Sequence, residues 1–191
     1  MRFVLGLLVT LGIALLTGFG ASWVALEDGR LFGALRIGVW AAWPSAGSAD
    51  VDPYTRAFLA RIGQLQLGRS EGIRFTARTD SGGTQLRREC RYTVAGGTPV
   101  ATLWTLYART ADGTVVGDAE RRPGIDSASL PRRPDGSFVI HVGPGARPGN
   151  WLATPGSGEY ELVLSIYDTS VFAGLGATLD TLPVIAPEGC L

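Results

Sequence analysis

Apolar positions follow three different patterns along this chain. From Phe3 to Leu26 no residue is charged. As a helix this run is about 36 Å long, against a hydrocarbon core of about 30 Å, so it predicts a transmembrane helix over residues 1–28. Arg2 and the amino terminus precede it, and Glu27 and Asp28 follow it. That order favours an N-in, C-out orientation, although Arg30 and Arg36 beyond it work against the bias. A cleaved signal peptide is the competing reading, with Gly20, Ala21 and Ser22 as a small-residue cleavage region. The apolar run continues past those residues through Trp23, Val24, Ala25 and Leu26, which favours a retained anchor. Either way the rest of the chain is expected across the membrane.

A second apolar stretch, Gly29 to Pro44, is interrupted by Arg36 and by glycines, so it is too short and broken to span a bilayer. Residues 29–49 read as a juxtamembrane segment and linker, with Trp23, Trp40 and Trp43 suited to the headgroup zone. The alternative is that this stretch joins the domain core. Asp52-Pro53 then has the form of a helix start, with a capping carboxylate followed by proline in the first turn. Tyr54, Phe58, Leu59 and Ile62 recur near one face and Gly63 is a stop, which predicts one short helix over 53–62.

Beyond this helix the period falls to two. Strands are predicted at Ile73–Thr79, Gln85–Val94, Ala101–Arg109, Val115–Val116, Ser137–Val142 and Tyr160–Tyr167. Between them lie turns at Asp80–Gly83, Gly96-Gly97, Ala111–Thr114 and Asp135-Gly136, an irregular Arg121–Pro134 segment, and a glycine- and proline-rich loop at Gly143–Gly158. Both faces of Tyr160–Tyr167 are partly apolar, as in a central strand. The expected class is mainly β: an antiparallel β-sandwich or jelly-roll-like domain over residues 50–191, with one short helix, preceded by the transmembrane helix.

Composition narrows the chemistry. All 17 basic residues are arginines, and 17 acidic residues balance them. This leaves no global positive field, and nucleic acid is not an expected partner. Arg74, Thr76 and Arg78 fall on one face of a predicted strand, read as a solvated face rather than a binding surface. His141 is the single histidine, so no multi-histidine metal site can form within one chain. No metal or cofactor is expected, and no dinucleotide or phosphate-loop fingerprint occurs. His141 has candidate acid partners in Asp168 and Glu159, but Ser165 lacks the surroundings of a nucleophile elbow, so catalytic residues stay unassigned. Asp112, Asp118, Glu120, Asp126 and Asp135 read as turn and surface acids. Cys90 and Cys190 both follow the apolar segment. In an oxidising compartment they are expected to pair, closing a loop of about 100 residues worth about 4–5 kcal/mol on the chain-entropy account. The alternative leaves them free or pairs them between molecules.

Trp104-Thr105-Leu106-Tyr107, Arg132–Phe138 with its Asp-Gly turn, Gly149-Asn150-Trp151-Leu152-Ala153-Thr154-Pro155 and Leu162–Asp168 follow one another in a distinctive order. Together with Asp52–Ala57 and Leu67–Gly72 they resemble the bacterial DUF1214 domain, in its short membrane-anchored form, across about residues 50–170. The resemblance implies a mostly β fold and brings no catalytic assignment. Leu152-Ala153 stands where the family often has Leu-Pro, and Tyr167-Asp168-Thr169 where it often has Tyr-x-Pro. Within these motifs Trp104, Tyr107, Asn150, Trp151 and Tyr167 are candidate walls of a ligand pocket for an apolar or sugar-like molecule, with core packing as the alternative role.

The combined expectation is an envelope protein in the bacterial inner membrane, its C-terminal domain periplasmic, that binds a ligand or partner. An enzyme acting on an envelope lipid or glycan and a structural subunit of a membrane assembly are the alternatives. Expected partners are membrane lipid and a membrane or periplasmic protein. Self-association is a further option, through the small-residue face Gly6, Thr10, Ala14, Gly18 and Ser22.

Overall fold

The computed structural model describes residues 2–28, 34–48, 51–62, 67–68, 71–117, 123–169 and 182–190, and among them both predicted helices and the six predicted strands occur in order, with further strands at 35–37, 40–42, 124–126, 150–153 and 184–190 that the alternation did not predict. Expectations on Gly63, Arg69, Ser70, Asp118, Glu120 and Arg121, and on the chain from 170 to 181, lie outside the described residues.

Helix α1 spans Arg2–Asp28. Its stretch Arg2–Val24 has a mean hydropathy of 2.2 and no part of it is buried in the protein. A helix this apolar that the protein leaves unburied needs another apolar environment or removal as a signal sequence. Gly6, Thr10, Ala14, Gly18 and Ser22 are all exposed on it.

Helix α2 is Pro53–Ile62, as the pattern predicted. The Asp52 carboxylate accepts hydrogen bonds from the Tyr54 and Thr55 amides at 3.1 and 2.9 Å, satisfying two donors of the first turn. Hydrogen bonds from Thr55 hold the Asp52 carboxyl below its ordinary range. The helix buries Thr55, Phe58 and Leu59, spaced for one face, and Trp43 packs on Phe58 with ring centroids 5.4 Å apart.

The strands are β1 Leu35–Ile37, β2 Trp40–Ala42, β3 Gly72–Ala77, β4 Cys90–Gly96, β5 Ala101–Arg109, β6 Val115–Val116, β7 Gly124–Asp126, β8 Phe138–Gly143, β9 Asn150–Ala153, β10 Glu161–Thr169 and β11 Val184–Cys190. They form a seven-stranded sheet, β1-β2-β3-β10-β5-β6 with β7 also on β5, and a four-stranded sheet, β11-β4-β8-β9. Every pairing is antiparallel except β8 with β9, which is parallel. The chain is therefore a two-sheet, mainly β domain.

Register explains the core. On β10, Leu162, Leu164 and Ile166 face Ala108, Leu106 and Trp104 of β5 on one side and Ala77, Phe75 and Ile73 of β3 on the other. Alternation sends all nine side chains to one face, where they are buried. The small sheet answers with Tyr92, Val94, Phe138, Ile140, Val142, Leu152 and Ile185. Trp104 meets Phe138 across the interface with centroids 4.8 Å apart. The other face of β10 is also buried, at Glu161, Val163 and Ser165, which fits the two-sided apolar pattern.

Residues 35–42 are strands of the domain. Ala41 and Ala42 pair with Thr76 and Phe75 of β3. Trp40 is 1% exposed and donates its indole N–H to the Pro183 carbonyl at 2.8 Å. Its body belongs to the core rather than to the headgroup zone, because the bend at Gly38 (φ 58°) folds the stretch into a hairpin that lies on β3. The strand expected at Gln85–Val94 begins only at Cys90. Before it, Leu86 donates its amide to Arg78 and Thr79 bridges Gln85, so 78–86 closes as its own turn around the Asp80 carboxylate.

Two buried features predict the outcome of simple substitutions. Ile185 is the one fully buried residue of β11, so Ile185→Val is expected to lower unfolding free energy by about 0.5–1.5 kcal/mol in denaturant titrations. The Tyr160 hydroxyl is buried without a hydrogen-bond partner among the described residues, and burial pushes its ionisation far upward. A buried unmet donor costs free energy, so Tyr160→Phe is expected to leave stability unchanged or raised in the same measurement.

Candidate functional site

The outer face of the four-stranded sheet carries a row of polar and aromatic side chains that the inner face excludes. Ile140, Val142 and Leu152 point into the core, so His141 on β8 and Trp151 on β9, paired in register, point outward. Thr93 of β4 faces His141 from the other side. On β11 the register shifts between Pro187 and Gly189, which pair with Tyr92 and Arg91. Glu188 is the extra residue of this bulge, and the bulge turns its carboxylate onto the row.

Glu188 joins the cluster. Its Oε1 accepts a hydrogen bond from the Thr93 hydroxyl and lies 3.4 Å from His141 Nδ1, while Oε2 lies 3.0 Å from Arg147 Nη1. Arg147 reaches back from the β8–β9 loop. The Thr93 hydrogen bond holds the Glu188 carboxyl below its ordinary range. Partial burial opposes this, and the charges of Arg147 and His141 add to it. Trp151 is half-buried, its indole N–H donated to the Gly143 carbonyl at 3.1 Å. Gly143 has a local reason: a Cβ there would lie 3.1 Å from Arg91 Cγ. The Arg91 Nε is itself buried without a hydrogen-bond partner among the described residues.

The chemistry on offer is recognition. An imidazole 3.4 Å from a carboxylate, the guanidinium of Arg91 on β4 and that of Arg147 on the β8–β9 loop, a hydroxyl and an indole stand on one face, and His141 Nδ1 makes no hydrogen bond among the described residues. The row contains no serine or cysteine nucleophile. No group of three or more histidine, cysteine, aspartate or glutamate side chains suited to a metal occurs among the described residues.

A lowered carboxyl pKa has a definite sign in stability. The Glu188 contribution is complete above its ordinary value of 4.5 and is lost as pH falls through its lower folded value. The protection factors of the β8–β9 loop amides, each taken against the intrinsic exchange rate at its pH, are therefore expected to be lower well below pH 4.5 than at neutral pH. Glu188→Gln should show the lower protection at both.

The five residues singled out from the motifs do not share one wall. Trp104 lies between the sheets, with the Arg132 guanidinium 5.9 Å from its ring and its amide donated to the Ser127 hydroxyl. Tyr107 and Tyr167 stand on the other face of the large sheet, opposite Val163 and Leu103. Asn150 donates to the Pro131 and Val139 carbonyls at 3.1 and 2.9 Å and so ties the loop before β8 to β9. Trp151 alone of the five lies on the row described here. His141 pairs with Glu188, while Asp168 accepts from Thr102 at 2.8 Å and Glu159 bridges Arg87 through its backbone. Pairing Cys90 with Cys190 would have pointed to Glu188, since it lines the last residues up against Arg91 and Thr93.

The disulfide itself is formed, Cys90 opposite Cys190 across β4 and β11. Its effect on the site is to hold the bulge that carries Glu188.

Among solved structures, the VPA0106 protein from Vibrio parahaemolyticus is similar in fold. It has a TM-score of 0.56 and 15% identity over 72% of this chain, which spans 36% of that protein. A putative uncharacterized protein from Burkholderia cenocepacia aligns with a TM-score of 0.46 and 18% identity, over 91% of this chain and 51% of its own. The chain thus spans about half or less of either protein. No curated protein matches it. The profile of the family described as "Protein of unknown function (DUF1214)" matches residues 71–171, from the turn before β3 past the end of β10 and across the whole of β8 and β9. That match covers more than half of the sequence, and the chain belongs to the DUF1214 family.

Proposed function

We propose that this chain is an envelope protein held in the bacterial inner membrane by α1, with its β domain in the periplasm, where the outer face of the small sheet binds a ligand or partner. The observation that carries the reading is the Cys90–Cys190 bond in a domain that follows an apolar helix. Disulfides persist in oxidising compartments and are rare in the cytosol. A retained helix with N-in orientation delivers the domain to that side. The polar row supports binding because its groups are half-exposed and held in place by neighbours on four strands.

Thiol trapping of intact cells and protease treatment of spheroplasts test the location. The reading expects both cysteines to resist alkylation until reductant is added, and the domain to be digested from outside. Free thiols with a protected domain would overturn it. For the binding face, co-purification from native membranes is expected to retain a partner or ligand that Trp151→Ala and Glu188→Gln both lose.

The His141–Glu188 pair favours one second reading, an enzyme acting on an envelope lipid or glycan with His141 as general base. It expects His141→Ala to abolish turnover of such a substrate in isolated membranes while binding persists. Equal turnover in the variant would remove this reading.

A further inference from the structure

The polar groups on the outer face of the small sheet are held in place but only partly used. Glu188 gives one oxygen to the Thr93 hydroxyl and the other to Arg147, 3.0 Å away. A carboxylate and a guanidinium each have further acceptor or donor sites beyond one such contact. The side chains of His141, Glu188 and Arg147 are 28, 25 and 38% exposed, so a ligand from solvent can reach them. Arg147 and Glu188 also neutralise one another. Between them they offer strong donors and acceptors with little charge left over.

Trp151 supplies a different contact. Its indole N–H is donated to the Gly143 carbonyl at 3.1 Å, which fixes the ring and uses up its polar handle. The half-exposed ring surface is what remains for a ligand. Register sets the spacing. Trp151, His141 and Thr93 stand opposite one another on β9, β8 and β4, about 4.8 Å from strand to strand and about 10 Å in all.

A ligand that fits must pair an apolar C–H surface with hydroxyls that both donate and accept, within about one strand spacing. An acyl chain would strip water from Glu188 and Arg147 and give nothing back. A sugar ring has C–H groups on its face and hydroxyls around its rim. We propose that this face binds a neutral oligosaccharide of pyranose rings. One ring lies on Trp151, and the next is hydrogen-bonded through its hydroxyls to His141, Glu188 and Arg147. This rests on the reading above that the outer face of the small sheet is a binding face, and the test separates the two.

The experiment uses the full chain in phosphatidylcholine nanodiscs. The probes are maltotetraose, cellotetraose and chitotetraose, with tetragalacturonic acid as an anionic counterpart. His141 is the only histidine of the chain, so its imidazole proton signals report on this face alone. The expected result is a saturable shift of those signals with at least one neutral tetrasaccharide. Trp151→Phe keeps an aromatic surface and should retain the shift, while Trp151→Ala should weaken the affinity by about tenfold or more. Glu188→Gln should weaken it by about tenfold, the size of one lost hydrogen bond to a charged group. Affinity unchanged in both Trp151→Ala and Glu188→Gln would overturn the proposal. A response to tetragalacturonic acid alone would assign the face to anion recognition through Arg91 and overturn it as well. Suppose that no neutral saccharide shifts the signals, yet the parent still co-purifies a protein or lipid from native membranes that Trp151→Ala loses. That result would overturn the saccharide and leave the binding face intact. No response and no co-purified component would remove the binding reading and the proposal together.

Discussion

Replacing Cys90 and Cys190 by serine is expected to lower the unfolding free energy of the domain by about 4–5 kcal/mol on the chain-entropy account. The bond joins residues 100 apart in sequence, so breaking it returns a long loop to the unfolded ensemble. The folded state offers little in compensation. β11 is an edge strand interrupted by Pro187, and apart from Ile185 its residues are exposed. It is otherwise held by its ladder with β4, by the contacts of Glu188 with Thr93 and Arg147, and by the exchange between Ser81 and Ile185, in which the Ser81 amide donates to Ile185 and the Ile185 amide to the Ser81 hydroxyl. Denaturant titration of the double variant beside the oxidised parent reads the loss. Hydrogen exchange over the β8–β9 loop should rise with it, because Glu188 sits two residues from Cys190 and reaches Arg147 of that loop. An unchanged unfolding midpoint would mean that the ladder and Ile185 suffice to hold the strand.

Removing the Glu161 carboxylate is expected to have a comparable cost, about 3–5 kcal/mol for Glu161→Ala, for a different reason. Glu161 and Arg109 face each other in the β10–β5 register, with an Nη2–Oε1 distance of 2.5 Å, and are 8% and 7% exposed. The second oxygen lies 3.0 Å from Arg78 Nε, a partner open enough to water that its share is small. Truncating the acid leaves the Arg109 cation buried with its principal partner gone. A second variant isolates this cause: Glu161→Leu together with Arg109→Leu removes both charges and fills the space. It should cost much less than Glu161→Ala in the same titration. Equal losses would assign the effect to packing instead of charge.

These two features differ in how far the sequence announces them. A pair of cysteines after an apolar helix states its own pairing, because no other partner exists within the chain. The Glu161 pair was not legible, since an acid and two arginines at positions 78, 109 and 161 become neighbours only when β3, β10 and β5 are laid side by side. The same holds for the candidate site. His141 and Trp151 stood out as residues, but their common face follows from a parallel β8–β9 pairing that alternation alone does not contain. Glu188 was invisible because its role depends on a bulge. Trp104, Tyr107, Asn150 and Tyr167 share motifs with Trp151 and separate into different layers. Neighbours in a motif alternate across a sheet, so closeness in sequence does not bring them to one surface.

Local physics therefore settled the elements, and long-range pairing settled their company. Apolar length along α1, the Asp52-Pro53 start of α2 and the two-residue period of β3, β5, β8 and β10 are properties of adjacent residues, and sequence alone determined them. The order of strands in the two sheets, the capture of residues 35–42 by β3 and the meeting of His141 with Glu188 were decided by tertiary structure. Each depends on which backbone edges and apolar faces find one another across long stretches of chain, and that choice is made by burial of the whole core at once.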